Sequence, residues 1–260
     1  MTSSYPDSPA EICQMLQAHL ERLSGPHRGL APRHCRLALL DLRLLSPLIE
    51  RSSALALLLT PAEQEIFDKF SYLKRKTEWL AGRVAAKYCL HQLLATEVSP
   101  CWWRRYSILA DSHGRPRFER EPADCPETTI SISHSHGYAA ALACREGSCG
   151  VDIQQLTPKL INVAERFACE EELALIDPQL APLTRLGLIW TAKEAVKKCL
   201  LSDHPSFFGR IHLTRLEQEQ KPLHWIASCD IAPSGAMTAT VRMTEVDSHL
   251  LACATGDAHA

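Results

Sequence analysis

The chain lacks several features that would place it quickly in a class. Its eleven cysteines include no Cys-x-x-Cys pair, and its formal net charge is −2. Apolar runs such as 54–59 are far shorter than the roughly 20 residues that a membrane-spanning helix needs. The first residues lack the basic and apolar regions of a signal peptide. We therefore expect a cytoplasmic protein with reduced thiols, no disulfide framework, and no nucleic-acid or membrane partner.

The composition nevertheless supports a large core. Apolar residues make up 46% of the 260-residue chain. A chain of this length and composition can form one large domain or two smaller lobes. The scattered cysteines among apolar neighbours are expected to lie in that core, namely Cys89, Cys144, Cys199 and Cys253.

The first half of the sequence alternates between helical and strand patterns. Capping boxes at Ser8 and Thr60 predict one helix over 9–24 and another that begins at Pro61. A longer helix is predicted over 74–94, with a loop over 25–33 and turn chemistry over 111–116. Strands are predicted over 36–42, 102–109, 129–134 and 138–144.

The second half repeats this kind of pattern. We expect a short strand over 149–153, with Asp152 pointing away from its two apolar neighbours. Helices are predicted over 160–177 and 182–201. An antiparallel meander is predicted over 211–216, 224–230, 237–243 and 249–254.

A faint internal repeat relates the two halves. In each, a strand is followed by a helix start and then by a tryptophan-containing helix, 78–83 in the first half and 190–194 in the second. The repeat predicts an α+β (α/β sandwich-like) fold of two pseudo-symmetric lobes, each a small antiparallel-rich sheet packed by a long helix, with the active site in a cleft between them. The predicted divisions are an N-terminal helix and loop over 1–34, a first lobe over 35–145 and a second lobe over 146–260.

The helix over 189–200 is the strongest candidate for chemistry. One face is apolar, and an adjacent flank groups an indole, a carboxylate and two ammonium groups, on Trp190, Lys193, Glu194 and Lys197. Such a flank suits a metal-bound, anionic ligand. The alternative is a solvated helix with a Glu–Lys pair, and this segment alone does not decide between them.

Two carboxylates could form a metal site. Asp152 follows a strand pattern and Glu194 lies on the helix, and together they would give the hard oxygen ligands that Mg²⁺ or Mn²⁺ prefers. The alternative is two unrelated surface carboxylates.

Two further segments could bind anions. The segment 131–136 places serine hydroxyls and imidazoles, including those of Ser133 and His134, at a strand end. Arg75 and Arg83 lie on one basic helix, where they could flank a phosphate, and Arg115 lies in a turn. The alternatives are ordinary turn histidines, a solvated basic face or a small nucleic-acid patch.

Taken in order, these segments resemble the large, two-lobed 4′-phosphopantetheinyl transferases of the surfactin-synthetase-activating type. The motifs that support the resemblance are Gly-Val-Asp-Ile at 150–153, Trp-Thr-Ala-Lys-Glu-Ala-Val-Lys at 190–197 and Ile-Ser-His-Ser at 132–135. The block at 74–83 is similar to that of the subgroup serving enterobactin-type synthetases. The resemblance extends over 37–254.

This resemblance implies a magnesium-dependent enzyme. It would transfer phosphopantetheine from coenzyme A to a serine of an apo acyl- or peptidyl-carrier protein and release adenosine 3′,5′-bisphosphate. Two lobes in one chain remove the need for a dimer to build the cleft, so we expect a monomer, although the sequence leaves the oligomeric state open. The pathway of the carrier protein stays open.

The resemblance also implies roles for the candidate residues. Asp152 and Glu194 would hold Mg²⁺, and the carrier serine would lose its proton to Glu194 or to a metal-bound water. The pyrophosphate would be contacted by Lys193 and Lys197, one of which Glu172 would orient. The 3′-phosphate and adenosine end of coenzyme A would be received by Ser133, His134, Arg75 and Arg83, with Arg115 as a weaker member.

One residue departs from the family pattern. Many members have a glutamate two residues after the signature aspartate, completing a three-carboxylate metal site, whereas this chain has Gln154. A glutamine offers a carbonyl oxygen without charge, so we expect weaker metal binding. Two other functions also stay open. One is a catalytically weak coenzyme A- or nucleotide-binding protein, and the other is an interaction module that docks an acidic partner on the helix over 74–87.

Overall fold

A computed structural model describes residues 6, 8–94, 102–119, 128–201, 203, 204, 206, 209–232 and 237–256. The chain forms two compact units. The first comprises Met1–Gly29 and Arg33–Arg145, and the second comprises Leu30–Pro32 and Glu146–Ala260. Within the described ranges no helix is long and apolar enough to cross a membrane.

The first unit packs helices against small antiparallel sheets. Its elements in chain order are α1 (Pro9–Ser24), β1 (Cys35–Asp41), α2 (Ser46–Ile49), α3 (Ser52–Leu58), α4 (Pro61–Asp68), α5 (Leu73–Leu94), β2 (Ser107–Ala110), β3 (Pro116–Glu119), β4 (Thr129–Ser135) and β5 (Tyr138–Cys144). One sheet has the order β1-β5-β4, and β2 pairs with β3. The helix α1 contributes Ile12, Leu16 and Leu20 to the same core as α5, so residues 9–24 form part of this unit.

Local sequence explains where several of these elements begin. The capping boxes at Ser8 and Thr60 are both present, with Glu11 and Glu63 as their acidic members. Turn chemistry at 111–116 joins β2 to β3, and Gly114 adopts the left-handed conformation there. His136 and Gly137 both have positive φ in the two-residue turn between β4 and β5, a geometry that suits the twist of a hairpin.

The second unit is a five-stranded antiparallel sheet covered by one long helix. Its elements are β6 (Ser148–Gln155), α6 (Glu170–Ala174), α7 (Pro182–Leu200), β7 (Ile211–Gln218), β8 (His224–Ile231), β9 (Met237–Val246) and β10 (His249–Gly256). The strand order is β6-β10-β9-β8-β7, so the predicted meander returns to pair with the strand that opens the unit. The α+β class predicted from the sequence is confirmed in both units.

Three local predictions were wrong. The predicted strand over 102–109 is a 3₁₀ helix, Trp102–Arg105, followed by β2, because both tryptophans turn into the core and stack on each other. The predicted helix over 160–177 is a 3₁₀ helix, Pro158–Arg166, and the short α6. The loop predicted over 25–33 includes a 3₁₀ helix, Gly25–Leu30.

The expectation of reduced thiols throughout was also wrong. A disulfide joins Cys35 on β1 to Cys144 on β5, and their Cα atoms are 4.1 Å apart. These residues are 109 apart in sequence and become neighbours only through strand pairing, so local cysteine spacing could not reveal them. By contrast, Cys89, Cys199 and Cys253 are buried, reduced thiols, as predicted.

Candidate active site

The site begins with a close approach between β6 and α7. A Cβ atom on Gly150 would lie 1.9 Å from the backbone oxygen of Ala195 and 2.7 Å from the backbone nitrogen of Cys199. Only glycine fits at such a distance from helix backbone. Two residues further along β6, Asp152 lies beside the turn of α7 that carries Glu194 and Lys198.

Asp152 is buried and bound to a lysine of that helix. Lys198 donates to Oδ1 of Asp152 at 2.7 Å and to the backbone oxygen of Val151 at 3.1 Å. The Asp152 residue is only 5% exposed, whereas the Lys198 side chain is 27% exposed. The lysine therefore neutralises a buried carboxylate while its own chain reaches solvent.

Glu194 is the second carboxylate of this group. Burial raises its pKa above the ordinary value, the nearby Asp152 carboxylate raises it further, and Lys198 and Lys197 oppose the rise. Two carboxylates that repel each other in a largely buried position form an arrangement that a bound cation would stabilise. Glu194 thus interacts electrostatically with Asp152, Lys197 and Lys198.

Lys193 lies on a different side of the helix. Its ammonium group donates to the backbone oxygen of Phe167 at 2.7 Å and lies 2.6 Å from Oε1 of Glu172. Its side chain is only 6% exposed. Glu172 also accepts from the backbone nitrogens of Cys169 and Leu213, at 3.2 and 2.7 Å. Lys193 is therefore a buried salt-bridge partner here, and its assignment to the pyrophosphate stays a prediction.

Gln154 lies on the same face of β6 as Asp152, two residues along the strand. Its side-chain nitrogen donates to the backbone oxygen of Gln155 at 2.9 Å. The groups that could hold a metal here are thus two carboxylates and an uncharged amide. That set suits Mg²⁺, which commonly keeps several waters and uses one or two protein carboxylates.

The basic residues of α5 in the first unit have unequal surroundings. Arg75 is exposed and lies over the ring of Phe70, with 5.5 Å from its Cζ to the ring centroid. Arg83 lies 4.3 Å above the ring of Trp79 and donates to the backbone oxygen of Ile108 at 3.3 Å. Burial lowers the pKa of Arg83 to about 10; Glu63 opposes this, and the Arg75 charge adds to it. The positive charge of Arg75 therefore acts on the guanidinium group of Arg83.

The serine–histidine edge does not act as one surface. Neighbouring residues of a strand point to opposite faces of the sheet. Ile132 contacts Gly82 of α5, and Nδ1 of His134 lies 3.9 Å from Oε2 of Glu78 on the same helix. Ser133 is buried on the other face of β4. His134 therefore accompanies the basic helix, whereas Ser133 does not.

Arg115 is fixed by its turn. Its backbone nitrogen donates to Oδ1 of Asp111, and its backbone oxygen accepts from the backbone nitrogen of Asp111, both at 2.9 Å. These bonds hold the main chain of the β2–β3 turn. They place Arg115 at the end of that hairpin away from Ile108, the partner of Arg83.

Lys198 is the residue that the sequence analysis missed. The lysines assigned to the site were Lys193 and Lys197, yet Lys198 makes the direct contact with Asp152. The available signal was its spacing from Glu194, because residues four apart lie on the same face of a helix.

Comparison with known proteins assigns this part of the chain to a family. The family described as "4'-phosphopantetheinyl transferase superfamily" matches residues 148–246 of this chain, which include Asp152, Glu194 and Lys198. A "Holo-[acyl-carrier-protein] synthase" of Streptococcus equi subsp. zooepidemicus (strain MGCS10565) is 37% identical over 83 residues, covering 32% of this chain and 69% of that protein. One of Oceanobacillus iheyensis is 31% identical over 104 residues, covering 40% and 87%. The chain belongs to the 4′-phosphopantetheinyl transferase superfamily.

Solved structures show likenesses of smaller extent. A holo-(acyl-carrier-protein) synthase from Bacillus anthracis str. Ames in complex with CoA (3',5'-ADP) has 22% identity and a TM-score of 0.38, over 42% of this chain and 92% of that one. The Helicobacter pylori holo-[acyl-carrier-protein] synthase in complex with coenzyme A has 17% identity and a TM-score of 0.37, over 42% and 97%.

Proposed function

We propose that the protein transfers the 4′-phosphopantetheine group of coenzyme A to a serine of an apo acyl- or peptidyl-carrier protein. The serine oxygen forms a bond to the phosphorus that carries the pantetheine arm. The bond from that phosphorus to the bridging pyrophosphate oxygen breaks, the serine proton leaves, and adenosine 3′,5′-bisphosphate is released. Positioning and charge neutralisation supply most of the catalysis in such a transfer.

The observation that best supports this proposal is the group formed by Asp152, Glu194 and Lys198. It joins a buried strand carboxylate to a helix carboxylate of raised pKa and to a lysine within the matched family region. A pure docking module needs no such buried group.

Asp152 and Glu194 are the residues that would hold Mg²⁺, with Mn²⁺ as a substitute. When bound, the cation would neutralise charge on the pyrophosphate. Burial and the neighbouring Asp152 carboxylate both raise the pKa of Glu194, and a bound cation would offset both effects. Gln154 adds no charge, so we expect weak metal binding, and full activity should require a higher metal concentration.

Glu194 is also our candidate for the group that accepts the serine proton. A carboxylate whose pKa is raised toward neutrality is a stronger base than an exposed one. Lys197 and Lys198 lie close enough to oppose that rise, and their charges would favour an incoming pyrophosphate.

The first lobe would receive the adenosine end of coenzyme A. Burial lowers the pKa of Arg83 and the Arg75 charge lowers it further, and a 3′-phosphate would relieve the repulsion between the two charges. His134 would join them, with Ser133 and Arg115 more peripheral. In this two-lobed scheme residues 35–145 bind the nucleotide end and residues 146–260 carry the metal and catalytic groups. We further propose that the enzyme acts in the cytoplasm as a monomer.

A mass measurement tests the proposal. The protein is mixed with coenzyme A, MgCl₂ and an apo carrier protein, and the carrier is weighed for the added phosphopantetheine group. Asp152→Asn should reduce the transfer rate by at least about 100-fold, because a proposed ligand of the cation that neutralises the pyrophosphate is lost. Asp230→Asn is the matched control: its carboxylate also lies on a strand of the same sheet, where it accepts from Thr238 at 2.9 Å.

Each outcome has a definite meaning. Transfer by the wild type and by Asp230→Asn, but not by Asp152→Asn, supports the assignment. Bound coenzyme A without mass gain on several carriers would favour the catalytically weak binding protein instead. Undiminished turnover of Asp152→Asn would remove the proposed site while leaving the family assignment intact.

A further inference from the structure

A second group of ligand atoms lies in the first unit, outside the proposed active site. One ring nitrogen of His34 and the sulfurs of Cys35 and Cys144 all lie within 4.8 Å of one another. Among the residues that the structure describes, this is the only group of three or more histidine, cysteine or acidic side chains with that spacing. Its chemistry is soft, with two sulfurs and one imidazole, whereas the proposed active site offers oxygen ligands.

Strand pairing itself holds the two sulfurs together. The backbone nitrogen of Arg145 donates to the oxygen of His34 at 3.2 Å, in line with the register of β1 and β5. Opposite residues of an antiparallel pair alternate between hydrogen-bonded and non-hydrogen-bonded positions. Cys35 and Cys144 therefore occupy a non-hydrogen-bonded position, where side chains approach most closely. The thiols would stay adjacent after the disulfide is reduced.

The surroundings provide both enclosure and access. Cys35 is 2% exposed and Cys144 is fully buried, whereas His34 is exposed at the surface. Two thiolates alone would be costly in such a place, but a divalent cation would neutralise their charge. The exposed imidazole gives the cation a route from solvent.

We propose that His34, Cys35 and Cys144 bind one Zn²⁺-type cation when the Cys35–Cys144 disulfide is reduced. A dithiol reductant breaks the S–S bond, delivers two electrons and two protons and becomes a disulfide itself. The cation then displaces both thiol protons, forms two metal–sulfur bonds and one metal–nitrogen bond, and leaves a fourth position for water. Oxidation to the disulfide removes both thiolates and so excludes the metal.

The second unit provides a natural control. Counted from the tight turn of each final hairpin, Cys144 is the seventh residue of β5 and Thr255 is the seventh residue of β10. Thr255 pairs with Cys149, as Cys144 pairs with Cys35. Cys149 is thus a buried cysteine at the matching position, with a reduced thiol and opposite a threonine.

Titration with Co²⁺ tests the proposal on the full chain. Cobalt bound to thiolate shows a ligand-to-metal charge-transfer band that cobalt bound to oxygen ligands lacks, so the proposed Mg²⁺ site does not contribute. The reduced wild type and Cys149→Ser should each show one equivalent of this band, which Zn²⁺ should abolish by displacement. The band should disappear in Cys35→Ser and in Cys144→Ser and in the oxidised wild type.

His34→Ala keeps both thiols and the disulfide, so its result does not depend on how the serine variants fold. It should weaken the affinity at least about tenfold, because even outer groups of metal sites contribute 10- to 100-fold. Two results would overturn the proposal. One is that the reduced wild type binds cobalt no better than Cys35→Ser does. The other is that His34→Ala binds cobalt as tightly as the wild type. Transferase activity is a separate readout, and its loss or retention leaves this result unaffected.

Discussion

In the first unit a strand, a capped helix, a long helix and two hairpins follow one another, and the second unit repeats that order. The two units also share one buried ion pair. Lys87 of α5 donates to Glu63 and to the backbone oxygen of Leu58, and Lys193 of α7 donates to Glu172 and to that of Phe167. Each accepting oxygen lies two residues before the first residue of a capping box, and each glutamate is the acidic member of that box.

The ion pairs match further still. The second oxygen of Glu63 accepts from the backbone nitrogen of Ile108 on β2, and that of Glu172 accepts from Leu213 on β7. In both units the pair thus joins the long helix, the short capped helix and the first strand of the following hairpin. This agreement supports a common architecture that depends on contacts more than on sequence similarity.

The two carboxylates proposed to hold the metal, by contrast, lie in the second unit. Asp152 pairs with Ala252, the fourth residue of β10, and Ala38 pairs with Ala141, the fourth residue of β5. Ala38 is therefore the residue of the first unit that corresponds to Asp152. The residue after the buried lysine is Glu194 in α7 and Tyr88 in α5. Tyr88 donates to Glu21 at 2.7 Å and so serves packing with α1. The comparison teaches that the repeated scaffold is separable from the carboxylates placed on it.

The largest expected effect comes from breaking the buried ion pairs. Lys87→Met and Lys193→Met should each lower the free energy of unfolding by about 3–5 kcal/mol, because a buried glutamate loses its partner. Denaturant titration should show both losses. If Lys193 served only as a pyrophosphate ligand, Lys193→Met would abolish transfer at unchanged stability, and the structural match between the units would fail.

The next effect concerns glycines at the long helices. Gly150→Ala should cost about 3 kcal/mol, since its Cβ would meet the rigid backbone of α7. Gly82→Ala in the first unit would meet the Cγ2 methyl group of Ile132 at 2.7 Å, and a single side chain can shift more readily than the backbone of a helix. The gain in helix propensity, about 1 kcal/mol, should offset most of that cost. Thermal unfolding of both variants checks the difference; equal losses would contradict it.

The smallest expected effect is the pH dependence of stability that arises from Glu194, the residue after the buried Lys193. Burial and Asp152 raise the pKa of Glu194 in the folded state, so the folded chain binds more protons than the unfolded chain. Stability should therefore fall as pH rises from 4.5, the ordinary value for this group, through the raised pKa. Glu194→Gln should remove that slope when denaturant titrations are made in the presence of a chelator.

Tyr88→Phe is the matched control for this experiment. Burial also raises the pKa of Tyr88, from an ordinary value of 10.0, so it has no titration to lose in the acidic and neutral range. Its pH profile there should parallel that of the wild type. A steeper change in Tyr88→Phe than in Glu194→Gln would mean that the slope arises elsewhere.

Features with local causes were predictable from the sequence. The capping boxes at Ser8 and Thr60 placed two helix starts correctly, and alternation placed β4 and β5. Order along the chain led to the family and to Asp152 and Glu194. The 3₁₀ helix at Trp102–Arg105 depends on how two indoles pack, and strand propensity alone gave the wrong element there.

Contacts between residues far apart in the chain could not be predicted from the sequence pattern. The repeat was aligned on Trp79 and Trp190, whereas the buried pairs align Lys87 with Lys193 and hence Trp79 with Arg185. The disulfide between Cys35 and Cys144 depends on strand register. Lys198 was missed because its neighbour Lys197 matched the family motif and drew the assignment.

The buried Lys193 has a mechanical consequence for the active site. Successive residues of a helix are rotated by about 100°, so a side chain fixed on one face determines the direction of all the others. Glu172 and the oxygen of Phe167 hold Lys193, and this fixes the rotational phase of α7 about its axis. Glu194 then points about 100° away and Lys198 about 140° away from that anchor. This buried ion pair would thereby set the direction of the side chains that we propose to act on the substrate.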